Sequence, residues 1–97
     1  MRPAKGIFYC SDVALTAANE RTATIELSPG HRKWSGLLYL TVWAKNGALT
    51  LTLGDDEVPV LVDSFSGYSN VVDASAVPEI TIGSTSDATA RVLIEIL

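Results

Sequence analysis

An all-β fold of two packed sheets is predicted by three features of this 97-residue sequence. Apolar and polar residues alternate along most of its length, the period of a strand with one dry and one wet face. Clusters of Gly, Pro, Asn, Asp and Ser interrupt those runs at the short spacing of antiparallel structure. The roughly seven or eight strands so delimited cannot lie as one flat sheet, because each apolar face needs a cover. The expectation is therefore a single-domain antiparallel β-sandwich over residues 1–97, jelly-roll or immunoglobulin-like in topology. A small closed β-barrel is the alternative.

The first segment, "MRPAKGIFYCSDVALTAA", has the early cations and apolar patch of an export signal, but Ser11 and Asp12 interrupt it after "IFYC". That patch is shorter than the roughly 7–15 apolar residues of a signal core. The chain is thus expected to lack a signal peptide and a transmembrane segment, and to be made in the cytoplasm. Cys10 is the lone cysteine, so no intrachain disulfide forms, and its apolar neighbours predict a packed thiol. "DVALTAANER" could hold a helical turn but shows no sustained 3.6-residue pattern.

In "ERTATIELS", Ala23, Ile25 and Leu27 alternate with Thr22, Thr24 and Glu26, which predicts a strand with the first set inward. The next run, "LLYLTVWAKNGALTLTLG", consists of two alternating stretches joined by Asn46-Gly47. That dipeptide suits a type I′ turn, so the expectation is a two-residue hairpin. Its register would pair Lys45 with Ala48, Ala44 with Leu49, Val42 with Leu51 and Leu40 with Leu53. Trp43 would then face Thr50, and Thr41 would face Thr52. Further strands are predicted in "VPVLVD", "YSNVVD", "PEITIG" and "TARVLIEIL", with Pro59 and Pro78 at strand starts or sheet edges. In the last, Val92, Ile94 and Ile96 should point inward and Arg91 and Glu95 outward. Leu93 breaks that alternation, and a second packed face would explain it.

Charge narrows the range of partners. Seven basic and eleven acidic residues give a net charge of −4, which opposes binding to nucleic acid. The 47% hydrophobic content leans towards apolar, and excess apolar surface often ends in a subunit interface.

The search for catalytic chemistry returns little. The single His31 would have to serve any Ser or Cys nucleophile, and no nucleophile elbow, P-loop, zinc-protease motif or paired Cys motif occurs. The chain is read as no enzyme, with no cofactor, metal or small-molecule substrate expected. Asp55, Asp56 and Glu57 could offer oxygen ligands to a cation, but consecutive acids diverge on an extended backbone, so the plainer reading is a solvated acidic loop. The hairpin would bring that loop beside "GHRKW", where Arg32 and Lys33 could balance it.

The remaining possibility is contact. Trp34 beside His31, Arg32 and Lys33 joins a large amphipathic ring to directional donors, the residue types of interface hot spots. Trp43 and Tyr39 share one strand face, and would form a patch for a partner if that face is open to water. The candidate interface is therefore His31, Arg32, Lys33, Trp34, Tyr39 and Trp43.

With its Thr-rich strands and tight turns, above all in "YLTVWAKNGALTLTLG" and "PEITIGSTSDATARVLIEIL", the chain resembles the small all-β virion proteins of tailed bacteriophages, such as head-decoration and head-completion proteins. The resemblance implies a non-enzymatic structural subunit of the virion, whether capsid-decorating, head-completing or tail-associated. Its apolar and aromatic faces would be covered in the assembled particle, and it would use no cofactor. The implied partners are proteins, as a homo-oligomer or on a larger viral particle, with no nucleic acid and no membrane. The alternative is a carbohydrate-binding module, in which Trp34, Trp43 or Tyr68 would stack on sugar rings.

Overall fold

The structure is a computed structural model that describes residues 6–27, 37–54 and 59–97. Eight strands run in order: β1 Gly6–Leu15, β2 Thr22–Glu26, β3 Leu37–Asn46, β4 Leu49–Leu53, β5 Val60–Val62, β6 Gly67–Asp73, β7 Glu79–Gly83 and β8 Ala88–Ile96. They form two four-stranded antiparallel sheets, ordered β1-β8-β3-β6 and β2-β7-β4-β5.

This order has a simple logic. The pairs β1·β8, β2·β7, β3·β6 and β4·β5 join strands at mirror positions along the chain, as in one long hairpin folded at its middle. The pairs β3·β8 and β4·β7 roll that hairpin into two layers. The result is the eight-stranded jelly-roll sandwich, one of the two expected topologies. It is not a closed barrel: among the described residues the edge strands are β1 and β6 in one sheet and β2 and β5 in the other.

Inward-facing residues from both layers make the core. Leu38, Leu40, Val42 and Ala44 of β3 and Ala88, Ala90, Val92 and Ile94 of β8 face Ile25, Leu49, Leu51, Ile80 and Ile82 of the other sheet. No described polar or charged residue is buried. Burying each such aliphatic side chain contributes on the order of 1.5–3 kcal/mol, and this alternation is the main force selecting the fold. Pro59 and Pro78 immediately precede β5 and β7, where a missing N–H costs no ladder bond.

The predicted hairpin is absent, and this is the principal correction. β3 and β4 belong to different sheets, so the Asn46-Gly47 connection crosses between layers. A type I′ turn requires positive φ at both central residues, and only Gly47 has it, at 88°. Asn46 instead remains in β3 opposite Thr89 of β8, after an irregularity at Ala44/Asn46. The crossing is tied to the β5–β6 turn: Gly47 N–H donates to Ser64 Oγ at 3.1 Å, and Phe65 N–H donates to the Ala44 carbonyl at 2.7 Å. The residues the hairpin put on one face do point inward, but Val42 and Leu51 enter the core from different sheets instead of pairing within one.

Two further differences concern the N-terminal segment. "GIFYCSDVAL" is a ten-residue edge strand, and Cys10 is exposed on it, not packed. An irregularity between Ile7 and Tyr9 turns Phe8 and Tyr9 towards the core and sets Cys10 on the outer face opposite Leu93. The suspected helical turn is a single 3-10 turn, Ala17–Asn19, and it carries the chain from β1 to β2. Asn19 stitches it: its Oδ1 accepts from Thr16 N–H at 3.0 Å and its Nδ2 donates to the Ala14 carbonyl at 2.8 Å.

Candidate functional site

The two sheets present outer faces of different chemistry. On the β2-β7-β4-β5 sheet, the outward positions include Thr22, Thr24, Thr50, Thr52 and Thr81, with Thr24 and Thr81 hydroxyls 3.4 Å apart. Thr50 and Thr52 therefore lie on the opposite side of the molecule from Trp43, where the hairpin register would have put them alongside it.

The outer face of the β1-β8-β3-β6 sheet mixes open apolar and aromatic side chains with polar and charged ones. Its cross-strand registers place Ile7, Glu95, Tyr39 and Val71 in one row. Cys10, Leu93, Thr41 and Ser69 make the next, and Asp12, Arg91, Trp43 and Gly67 the third. Four of the large apolar side chains that remain open to solvent fall on this face: Ile7 at 66%, Trp43 at 52%, Val71 at 47% and Tyr39 at 37%. Leu93, the residue that broke the alternation, is half-buried in the middle row of the face, between Cys10 and Thr41. Trp43 leans across Gly67 of the edge strand, where a Cβ would stand 3.8 Å from the ring.

One end of this face is held by charge. Asp12 accepts from Arg91 Nε at its Oδ1 and from Lys45 Nζ at its Oδ2, each at 3.0 Å. The Arg91 hydrogen bond, followed by that of Lys45, lowers the Asp12 carboxyl to about 2 from an ordinary 3.8. The same bond raises Arg91 further above its ordinary value. Because the three side chains come from β1, β3 and β8, the bridge fixes their outer ends relative to Trp43, which sits opposite Arg91 in register.

Of the predicted interface residues, Tyr39 and Trp43 share this open face, four positions apart on β3. His31, Arg32, Lys33 and Trp34 lie outside the described residues, as do Asp55, Asp56 and Glu57. Tyr68, a candidate for sugar stacking, instead faces inward opposite Val42, packs against the core and accepts from Asn70 Nδ2 at 3.1 Å. Ile7, Leu93, Val71 and the Asp12 bridge were missed. Leu93 carried a signal, since an outward leucine in a two-period strand marks a face that is not wholly wet. For Ile7 and Asp12 no signal existed without strand pairing, because Arg91 and Asp12 are 79 residues apart.

A shallow depression of about 220 Å³ near the β5 edge gathers Thr50, Leu61, Asp63, Ser84 and Thr85, with no imidazole or cation in its lining. Among the described residues, no group of three or more His, Cys, Asp or Glu side chains could hold a metal ion, and no helix is long and apolar enough to cross a membrane. Comparisons with protein-family models, with curated protein sequences and with solved structures find no match.

Proposed function

We propose that this chain is a non-enzymatic assembly protein that works through protein–protein contacts made by the outer face of the β1-β8-β3-β6 sheet. The observation that carries this reading is the gathering of Ile7, Tyr39, Trp43 and Val71, all substantially exposed, on one face of one sheet. Single exposed apolar residues are ordinary, but four on one sheet face, two of them aromatic, with Leu93 in the row between, have the composition of a contact surface. Among its described residues, the outer face of the other sheet is mostly threonine, with one open apolar residue, Leu61, on its edge strand β5.

A virion is the proposed setting. Support comes from the resemblance to small bacteriophage structural proteins in "YLTVWAKNGALTLTLG" and "PEITIGSTSDATARVLIEIL", and from the jelly roll, which recurs in viral capsid proteins. Lectins share that architecture, so the fold argues by analogy alone. Against a sugar-binding module stands the inward packing of Tyr68, one of the rings offered for stacking.

The test is the double variant Tyr39→Ser/Trp43→Ser, read in two ways. A tagged wild-type chain should cosediment with phage particles banded from the infected culture in which its gene is expressed. The variant should stay in the supernatant while its melting temperature falls by no more than a few degrees. A loss of folding that matches the loss of binding would show that the rings serve the core and would end the contact reading. Glycan-array binding by a chain that ignores particles would favour the carbohydrate alternative.

A further inference from the structure

The contact face has an internal charge pattern that selects its occupant. Glu95 lies in the first row, at one end of the strands, while Arg91 and Lys45 with Asp12 lie at the other. Asp73, paired with Leu37 one row beyond Val71, also lies on this face at the Glu95 end, so among the described residues the first end carries −2 and the second +1. The two ends of the face thus differ in sign, and two copies that meet with the ends reversed set negative on positive.

We infer that a second copy of the chain covers this face, packed sheet against sheet about a twofold axis that runs across the strands through the Cys10, Leu93, Thr41 and Ser69 row. This inference rests on the contact reading above and names its partner. The axis keeps each strand over its own equivalent and reverses the rows. Glu95 of one copy then lies over Arg91 of the other, and Tyr39 over Trp43. Val71 meets the Trp43 ring where it covers Gly67, a position with no side chain to obstruct it. Leu93 packs on Leu93 and Cys10 approaches Cys10. A twofold axis along the strands would instead put the positive end on the positive end and the negative on the negative. The interface is isologous, so each favourable contact occurs twice.

Size sets the strength of the pairing. Four strands at about 4.8 Å, over the seven-residue overlap of β3 and β6, span roughly 19 by 24 Å. Faces of that size lie at the low end for specific association. The pair is accordingly a reversible dimer that depends on concentration, the kind of weak symmetric contact that becomes decisive when copies are held side by side.

Sedimentation analysis of the full chain from about 1 μM to about 1 mM tests this directly. The mass should climb from that of one chain, 10.3 kDa, towards that of two. R91E and E95R should each weaken association tenfold or more, because each leaves like charges facing across the axis. An equimolar mixture of the two should recover it, since reversed position 91 of one chain then faces reversed position 95 of the other. K45E stands in for R91E if the latter does not fold, as judged by circular dichroism. A short bismaleimide should link Cys10 to Cys10 in the wild-type dimer and fail with E95R. A mass that stays at one chain throughout, a mixture no better than its components, or a dimer that Cys10 does not cross-link would each overturn the arrangement. None of these touches the contact reading itself, which is decided by the melting temperature and particle binding of Tyr39→Ser/Trp43→Ser.

Discussion

Asp12 holds two cations from two neighbouring strands with a single carboxylate, and no residue within the strand pattern around it announces that role. It is half-exposed, so the bridge is screened by salt and orients side chains more than it stabilises the fold. Its acidity is nonetheless a measurable consequence of Arg91 and Lys45. A carboxyl lowered to about 2 in the folded chain, against 3.8 ordinarily, contributes stability that is fully present above the ordinary value and is lost as pH falls through about 2. An NMR titration of the side chain should show a midpoint near 2, and Arg91→Ala should return it towards 3.8. An unchanged midpoint in that variant would mean that the carboxyl is held down by something other than Arg91.

At the scale of elements, the β3–β4 connection shows how a turn motif is overruled. Asn46-Gly47 between two alternating runs is the strongest short-range hairpin signal, yet the same alternation is satisfied when the runs face each other across a core. Once β8 and β6 occupy both sides of β3, no lateral position is left for β4. The glycine is still required, for another reason. Its φ of 88° disfavours any side chain, and a Cβ there would stand 3.0 Å from the Ala88 Cβ. Gly47→Ala should therefore destabilise the fold by about 1–3 kcal/mol, read as a shift in the denaturant midpoint. A cost near zero would mean that the connection can relax, and that the crossing is looser than described.

For the whole molecule, the rolled-hairpin topology makes β8 the centre of its sheet, bonded to β1 on one side and β3 on the other. Those partners are remote in sequence: Gly6 pairs with Ile96. Pairing the ends of the chain carries a high loop-closure cost, so folding should be slow for a chain of this length, in the range of milliseconds to seconds by stopped-flow fluorescence of its tryptophans. Truncation after Asp87 would remove β8, strip Ala88, Ala90, Val92 and Ile94 from the core and leave β1 unpaired. That shortened chain should show no cooperative unfolding transition. A cooperative melt would mean that the core survives without its central strand.

How much of this was legible depends on which interactions are local. The side each residue faces was readable in β2, β3, β4 and β8, from Ile25 to Ile94, because strand periodicity is a property of the backbone and burial follows it; Tyr68 of β6, offered as an open ring, faces inward. Tyr39 and Trp43 were found for the same reason: they are outward residues of one strand. Cys10 was misread because burial of a single thiol depends on the strand irregularity after Ile7 and on what neighbours it, not on the apolar letters around it.

By itself the sequence determined that the chain is all β, where most strands fall and which side chains meet in the core. Lateral neighbours were decided only by the tertiary structure. Alternation says which way a side chain points, yet it is indifferent to what lies beside the strand, and that choice falls to pairings between residues as far apart as Asp12 and Arg91. The contact face is made by just such pairings, since Ile7, Leu93, Tyr39 and Val71 come from four strands that only the roll of the chain brings together.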